Sequence, residues 1–176
     1  MDYLKQFVIP YFGLKNGFHD FRFEINKEFF DHFEYSEIKN GDLLIRVELE
    51  KQDRMLIFRF NVSGTVDVPC DRCGVHFDQP VGIREKLIIK LGHQRREESH
   101  EIIIIPETDH EIDLSGFLYE YIILSLPVKR VHPADEDGNS TCDPEMLRIL
   151  EDHAPEPPRD PRWDALKKLK NNHKSK

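Results

Sequence analysis

Alternation of apolar and polar positions runs through the middle of the chain. Leu43 to Glu50 alternates cleanly from Ile45, which places one set of side chains on a dry face and the other on a wet one. Met55 to Val62 does the same in its second half, and Gln52-Asp53-Arg54 between the two runs reads as a turn. Phe18 to Ile25 alternates after its first steps. Phe77 to Leu91 is the longest run, with Ile83, Leu87 and Ile89 in phase around Arg84, Glu85 and Lys86. Thr65 to Pro69 continues the strand signal beyond Ser63-Gly64, which reads as a bulge or turn. Phe7-Val8-Ile9-Pro10 and Glu101 to Pro106 add two short strands. Opposed alternating runs of this kind build an antiparallel meander with one wet face.

Helical spacing appears in three places. Asn26 to Phe33 carries Phe29, Phe30 and Phe33 on one face. After Asp113, whose carboxylate can cap a first turn, Leu114, Phe117, Leu118, Tyr121, Ile122 and Ser125 recur at three and four residues. Pro127 ends that helix. Asp143-Pro144 pairs a capping residue with proline at the first helical position, opening a helix through Leu150. Between these elements, 92–100 (GHQRREESH) reads as a mobile charged loop and 131–140 as a loop rich in Pro, Gly, Asp and Asn.

The expected fold is α+β: an antiparallel β-meander or partly closed barrel, covered by one or two helices. The expected organisation is one domain over 1–154, with 1–40 as a peripheral part. A Pro-rich linker and a disordered basic tail follow over 155–176.

Composition narrows the class. Charged residues are 33% and the hydrophobic set 39% of 176 residues, as in a single domain with a modest core. Neither Ile102–Ile105 nor Tyr121–Val128 approaches the roughly 20 apolar residues of a membrane helix. The start, Met1 to Gln6, lacks the basic-then-apolar order of a signal peptide. Three cysteines, an odd number, argue against a disulfide framework and for a reducing compartment, so the expected location is cytoplasmic. Net charge is −8, which does not suit a general nucleic-acid binder. The distribution modifies that: Arg159, Arg162, Lys167, Lys168, Lys170, Lys174 and Lys176 crowd the tail against only Asp160 and Asp164. Such asymmetry suits a basic arm on phosphate and an acidic body facing protein; a solvated terminus explains the same composition. Within the tail, Trp163, Leu166 and Leu169 share one side of a short basic segment that could order on a partner.

Two of the three cysteines share one turn, Cys70-Asp71-Arg72-Cys73-Gly74, at the end of a strand. Thiols at this spacing can face one ion, and His132 with Cys142 would complete a tetrahedral zinc set. His76 is the rival fourth ligand. Two other readings remain open: a redox pair and buried apolar side chains. A redox pair prefers its first cysteine at a helix N-terminus, whereas strand flanks this turn. Arg72 would point away from the metal, open to an acidic partner or to phosphate. Lys129, Arg130 and Arg72 could join Arg162, Trp163, Lys167, Lys168 and Lys170 in a surface for RNA or a protein partner. The chain carries no nucleophile elbow, glycine-rich phosphate loop or zinc-protease helix, so no enzymatic activity is expected.

Three stretches in this order carry a family likeness: Cys70 to Gly74; Asp113-Leu114 with Glu120 to Val128; and Val131-His132 with Cys142. Together they resemble the YceD family, the large ribosomal RNA subunit accumulation proteins. The ending Asp160 to Leu169 looks like that family's Pro-aromatic-Leu-Lys close. Tyr121 departs from the more acidic run that relatives often carry there. The resemblance spans about residues 40 to 170. It implies a cytoplasmic, non-catalytic factor of ribosome biogenesis, acting with large-subunit ribosomal RNA precursor or a ribosomal protein. The alternative is an adaptor for a ribosomal or biosynthetic protein that does not touch RNA.

Overall fold

A computed structural model describes residues 3–99 and 101–154. The strands are β1 (Val8–Ile9), β2 (Gly17–Ile25), β3 (Asn40–Gln52), β4 (Met55–Pro69), β5 (His76–Gly92), β6 (Arg96–Ser99), β7 (Ile102–Pro106) and β8 (Ile112–Asp113). The helices are α1 (Lys27–Asp31), α2 (Ser115–Ser125) and α3 (Pro144–Asp152). The linker and tail, with Arg162, Trp163, Lys167, Lys168 and Lys170, lie outside the described residues.

Six strands make one open sheet in the order β2-β3-β4-β5-β7-β6. β2 to β5 form the expected antiparallel meander. Among the described residues its outermost strands do not meet, so the sheet is not a closed barrel. β7 then runs parallel to β5 and carries β6 on its outer side. The charged stretch expected as a mobile loop therefore contains a strand. Arg96 and Glu97 pair with Ile104 and Ile103, satisfying the outer backbone groups of β7.

Ser63-Gly64 is neither bulge nor turn. β4 continues through it, one residue against one, from Gln52↔Met55 to Asn40↔Asp67. The glycine has another cause: at φ +147°, a Cβ there would stand 2.0 Å from the Asp42 carbonyl oxygen of β3.

One face of the meander is dry. Leu43, Ile45, Val47 and Leu49 of β3 meet Leu56, Phe58, Phe60 and Val62 of β4 and Ile83, Leu87 and Ile89 of β5 in a single core. α1 packs on this face over β3, and α2 over β5. α2 buries Leu118 and Ile122, while Tyr119 stacks on Phe33 at 4.1 Å between ring centroids. Asn26 caps α1 through its side chain, and the Asp113 carboxylate accepts from the Ser115 amide at the start of α2.

Residues 3–40 are not peripheral. Phe7, Ile9, Tyr11, Ile25, Phe29, Phe30 and Ile38 are all buried in the same core. β1 pairs with β8, and the Tyr11 hydroxyl donates to the Asp109 carbonyl, so the start of the chain is fastened beside α2. α3 lies apart from the sheet. Asp143 caps it with Pro144 in its first turn, and its Leu147 packs against a second, smaller cluster built on the three cysteines.

Candidate metal centre

β4 and β5 outrun their neighbours, and the connection between them is the cysteine turn. The Cys70 amide donates to the Val75 carbonyl and the Gly74 amide to the Cys70 carbonyl, which closes the loop tightly. Gly74 sits at φ +75°, a left-handed conformation open to glycine at little cost. The Arg72 amide points at the Cys70 sulfur, 3.4 Å away. Both thiols therefore face inward, and each is at most 4% exposed.

The segment after α2 supplies the other half. Leu126 leaves the helix in extended conformation, and the chain passes beside the turn. There the Asp71 amide donates to the Arg130 carbonyl at 2.7 Å, and the Arg130 amide donates back to the Asp71 carboxylate at 2.6 Å. Two residues further, the His132 ring lies against Phe77, centroids 4.7 Å apart, with Nδ1 3.5 Å from the Cys73 sulfur. The loop closes on itself through the Asp135–Asn139 and Ala134–Ser140 pairings and returns Cys142 to the turn. The Cys142 sulfur is 3.8 Å from that of Cys70, and all three cysteines are free thiols.

The four ligand atoms of Cys70, Cys73, His132 and Cys142 lie within 4.8 Å of one another. A zinc tetrahedron with its usual bond lengths has S···S edges of about 3.8 Å and S···N edges of about 3.5 Å. The Cys70–Cys142 and Cys73–His132 separations, 3.8 and 3.5 Å, match those edges. The sulfurs stand too far apart for a disulfide. Three soft sulfurs and one imidazole favour zinc over calcium or magnesium, which take oxygen ligands. The group could hold a metal ion such as zinc, and four protein ligands would leave no position open for a substrate.

Burial pushes the Cys70 thiol up, but amide donors from Cys73, Arg72 and His132, with the His132 ring, outweigh it and hold Cys70 down at about 6. Cys142 is raised: a hydrogen bond from Ser140 lowers it, yet burial and the neighbouring Cys70 and Cys73 sulfurs win. Cys70 is thus the more acidic of the two thiols and Cys142 the less acidic.

His76 is not part of this group; its Nδ1 faces the Asp67 carboxylate at 3.1 Å, on the exposed side of the strands. Arg72 turns outward to the Ser140 hydroxyl. Arg130 is half-buried and engaged with Glu37 and Asp71, so its guanidinium braces the loop. Lys129 is exposed beside it. Sequence reasoning passed over Asp71, which ties the turn to the loop, and Ser140, which touches Arg72 and accepts from the Cys142 amide. The position of Asp71 between two cysteines was the available signal, but nothing local announces a partner as distant as Arg130.

The fold and site are those of an α+β sheet protein with a Cys₃His group between its longest hairpin and the loop after its main helix. Residues 58–170 match the family described as Large ribosomal RNA subunit accumulation protein YceD, and the chain belongs to that family. No curated protein matches it, and no solved structure does. The matched span contains the turn, α2 and both distal ligands, so the cysteine group falls inside the family's own region. No helix among the described residues is long and apolar enough to cross a membrane.

Proposed function

We propose that this protein is a non-catalytic ribosome-biogenesis factor that supports accumulation or processing of large-subunit ribosomal RNA. Family membership over residues 58–170 is the observation that carries this reading. Cys70, Cys73, His132 and Cys142 bind one zinc ion, whose role is structural: it pins the segment after α2 against the β4–β5 turn and supplies folding energy that this small polar loop lacks. Zinc affinity needs no substrate there, because the four ligands close the shell. The free thiols fit a reducing cytoplasm. Residues 1–154 act as one domain, and 155–176 as a linker and basic arm whose Arg162, Trp163, Lys167, Lys168 and Lys170 reach RNA or a partner. Arg72 and Lys129 add to that surface.

The test is genetic. Deleting the gene should lower mature large-subunit RNA and raise its precursors, and a copy carrying Cys142→Ser should restore it poorly. Unchanged RNA and subunit profiles after deletion would reject the assignment.

A second reading, an adaptor for a ribosomal or biosynthetic protein, has one observation in its favour. Tyr35 and Val128 border a groove of about 390 Å³ lined also by Ile38, Tyr119, Ile123 and Leu126, and both are almost fully exposed. Affinity capture with and without nuclease separates the readings, because an RNA-bridged association disappears on digestion.

A further inference from the structure

The open face of the sheet carries an arrangement that packing does not explain. Arg22 of β2 stands opposite Arg46 of β3, Arg46 opposite Asn61 of β4, and Asn61 opposite Arg84 of β5. Registered positions point to the same face, and all four residues are exposed. The result is a row of three arginines and one asparagine across four strands, spanning about 14 Å at ordinary strand spacing. Like charges placed opposite each other destabilise a sheet. Among the described residues, none of the three guanidiniums has an ion-pair partner.

The neighbouring row shows that this face can neutralise a cation. There Asp20, Glu48, Arg59 and Lys86 stand in register, and Arg59 is held by Glu48 and Glu50 at 2.9 Å each. Over this row, the arginine row, the row of Glu24, Leu44, Ser63 and Gly82 on one side and the row of Phe18, Glu50, Ile57 and Ile88 on the other, five cations face four carboxylates, and Glu48 and Glu50 are both engaged by Arg59. In a chain of net charge −8 this is a local positive strip. On the same face of β2, Phe18 is 66% exposed. It sits four residues from Arg22, about 13 Å along the strand.

We propose that Arg22, Arg46 and Arg84 form a phosphate-binding strip on the open sheet face, with Phe18 as a stacking platform, and that the strip docks single-stranded RNA. Guanidinium matches phosphate through paired N–H donors, and a ligand with repeated anionic groups relieves a repulsion that one small anion could not. Exposed aromatic rings beside a cationic track are how sheet surfaces hold unpaired bases. A cationic partner protein is repelled by the same row. The acidic remainder of the body directs a polyanion to this face and away from others. The proposal rests on the ribosomal-RNA reading for the source of the strand, but its test does not.

The test uses the full chain and a labelled, unstructured 20-nucleotide RNA, with affinity followed against salt by fluorescence anisotropy. The triple variant Arg22→Gln, Arg46→Gln, Arg84→Gln should lose about tenfold or more in affinity, and its log–log salt slope should shrink by about 2, since each phosphate contact on a single strand contributes roughly 0.7. Phe18→Ala should weaken binding with an unchanged slope. The charge-matched control Arg54→Gln, Arg95→Gln, Arg96→Gln removes exposed arginines that lie outside the strip and should bind like the wild type. Any of three results overturns the proposal: no binding by the wild type, wild-type affinity and slope in the arginine-row variant, or an equal loss in the control. A row variant that fails to support RNA accumulation in cells yet binds RNA normally also overturns it, and assigns the row to a protein contact. Failure of the gene deletion to change ribosomal RNA instead rejects the proposed function and leaves the binding result standing.

Discussion

Asp71 and Arg130 hold each other in both directions: the Asp71 amide donates to the Arg130 carbonyl, and the Arg130 amide donates to the Asp71 carboxylate. One partner lies between two cysteines of the Cys₃His group, and the other lies two residues before its histidine. The pair therefore sets where His132 can stand before any ion arrives. Asp71→Ala removes the carboxylate and leaves all four ligands. Zinc affinity should fall about 10- to 100-fold, the usual effect of losing an outer-shell anchor. Competition with a chromogenic chelator measures it; wild-type affinity in the variant means the loop is placed by something else.

Gly64 lies where a Cβ on β4 would run into the backbone of β3. Gly64→Ala drives a Cβ into the Asp42 carbonyl and forces a φ that side chains rarely adopt. The expected cost is about 2 kcal/mol or more, seen as a lower urea midpoint at unchanged slope. Gly82, on the open face of β5 opposite Ser63, has open space around it, so Gly82→Ala is the control and should cost far less. Equal losses would show that strand propensity alone is being read.

Residues 3–40 contribute seven side chains to the core, and Phe29 is where this can be checked. It is fully buried, edge-on to Phe7 and Phe30. Phe29→Ala should destabilise the whole domain by about 3–5 kcal/mol in a single transition. A loss confined to local fraying of residues 1–40, with the sheet melting unchanged, would make this segment an appendage.

Tyr121 gives a pH signature at the sheet–helix boundary. Burial first, then the carboxylates Glu85, Glu120 and Glu101, push its hydroxyl up to about 12 from the ordinary 10. Because the folded state holds this proton more tightly than the unfolded one, the contribution is whole below pH 10 and is lost as pH rises toward 12. Absorbance at 295 nm should therefore show a tyrosine step near pH 12, beyond the smaller upward shift that burial and Asp109 give Tyr11, and that step should be absent in Tyr121→Phe. In that variant stability should decline less steeply between pH 10 and 12. A late step that persists in Tyr121→Phe belongs to another residue.

The local parts of this fold were legible because their cause is local. The alternation in β3 and β4, the asparagine before α1 and the Asp143-Pro144 start of α3 each act within a few residues. Three features were not. The 92–100 stretch looks like solvated loop, and only the exposed edge of β7 turns part of it into β6. Gly64 reads as a break because sequence does not reveal how near a neighbouring strand passes. Residues 1–40 carry apolar positions without a pattern that says what they cover. At the site, the paired cysteines announced themselves by spacing, and His132 and Cys142 by residue type. That they meet depends on where α2 delivers the chain and on the Asp71–Arg130 clasp, both long-range. Arg130 seemed free for phosphate for the same reason: its partners Glu37 and Asp71 are far away in sequence.

The most direct measurement is the metal content of protein purified without chelator or affinity metal, by elemental mass spectrometry, beside Cys142→Ser and His76→Ala. One zinc per chain is expected in the wild type and in His76→Ala, with loss of stoichiometric zinc in Cys142→Ser. Wild-type protein that is freshly reduced, folded and free of metal, and that takes up none when zinc is added, would contradict the account.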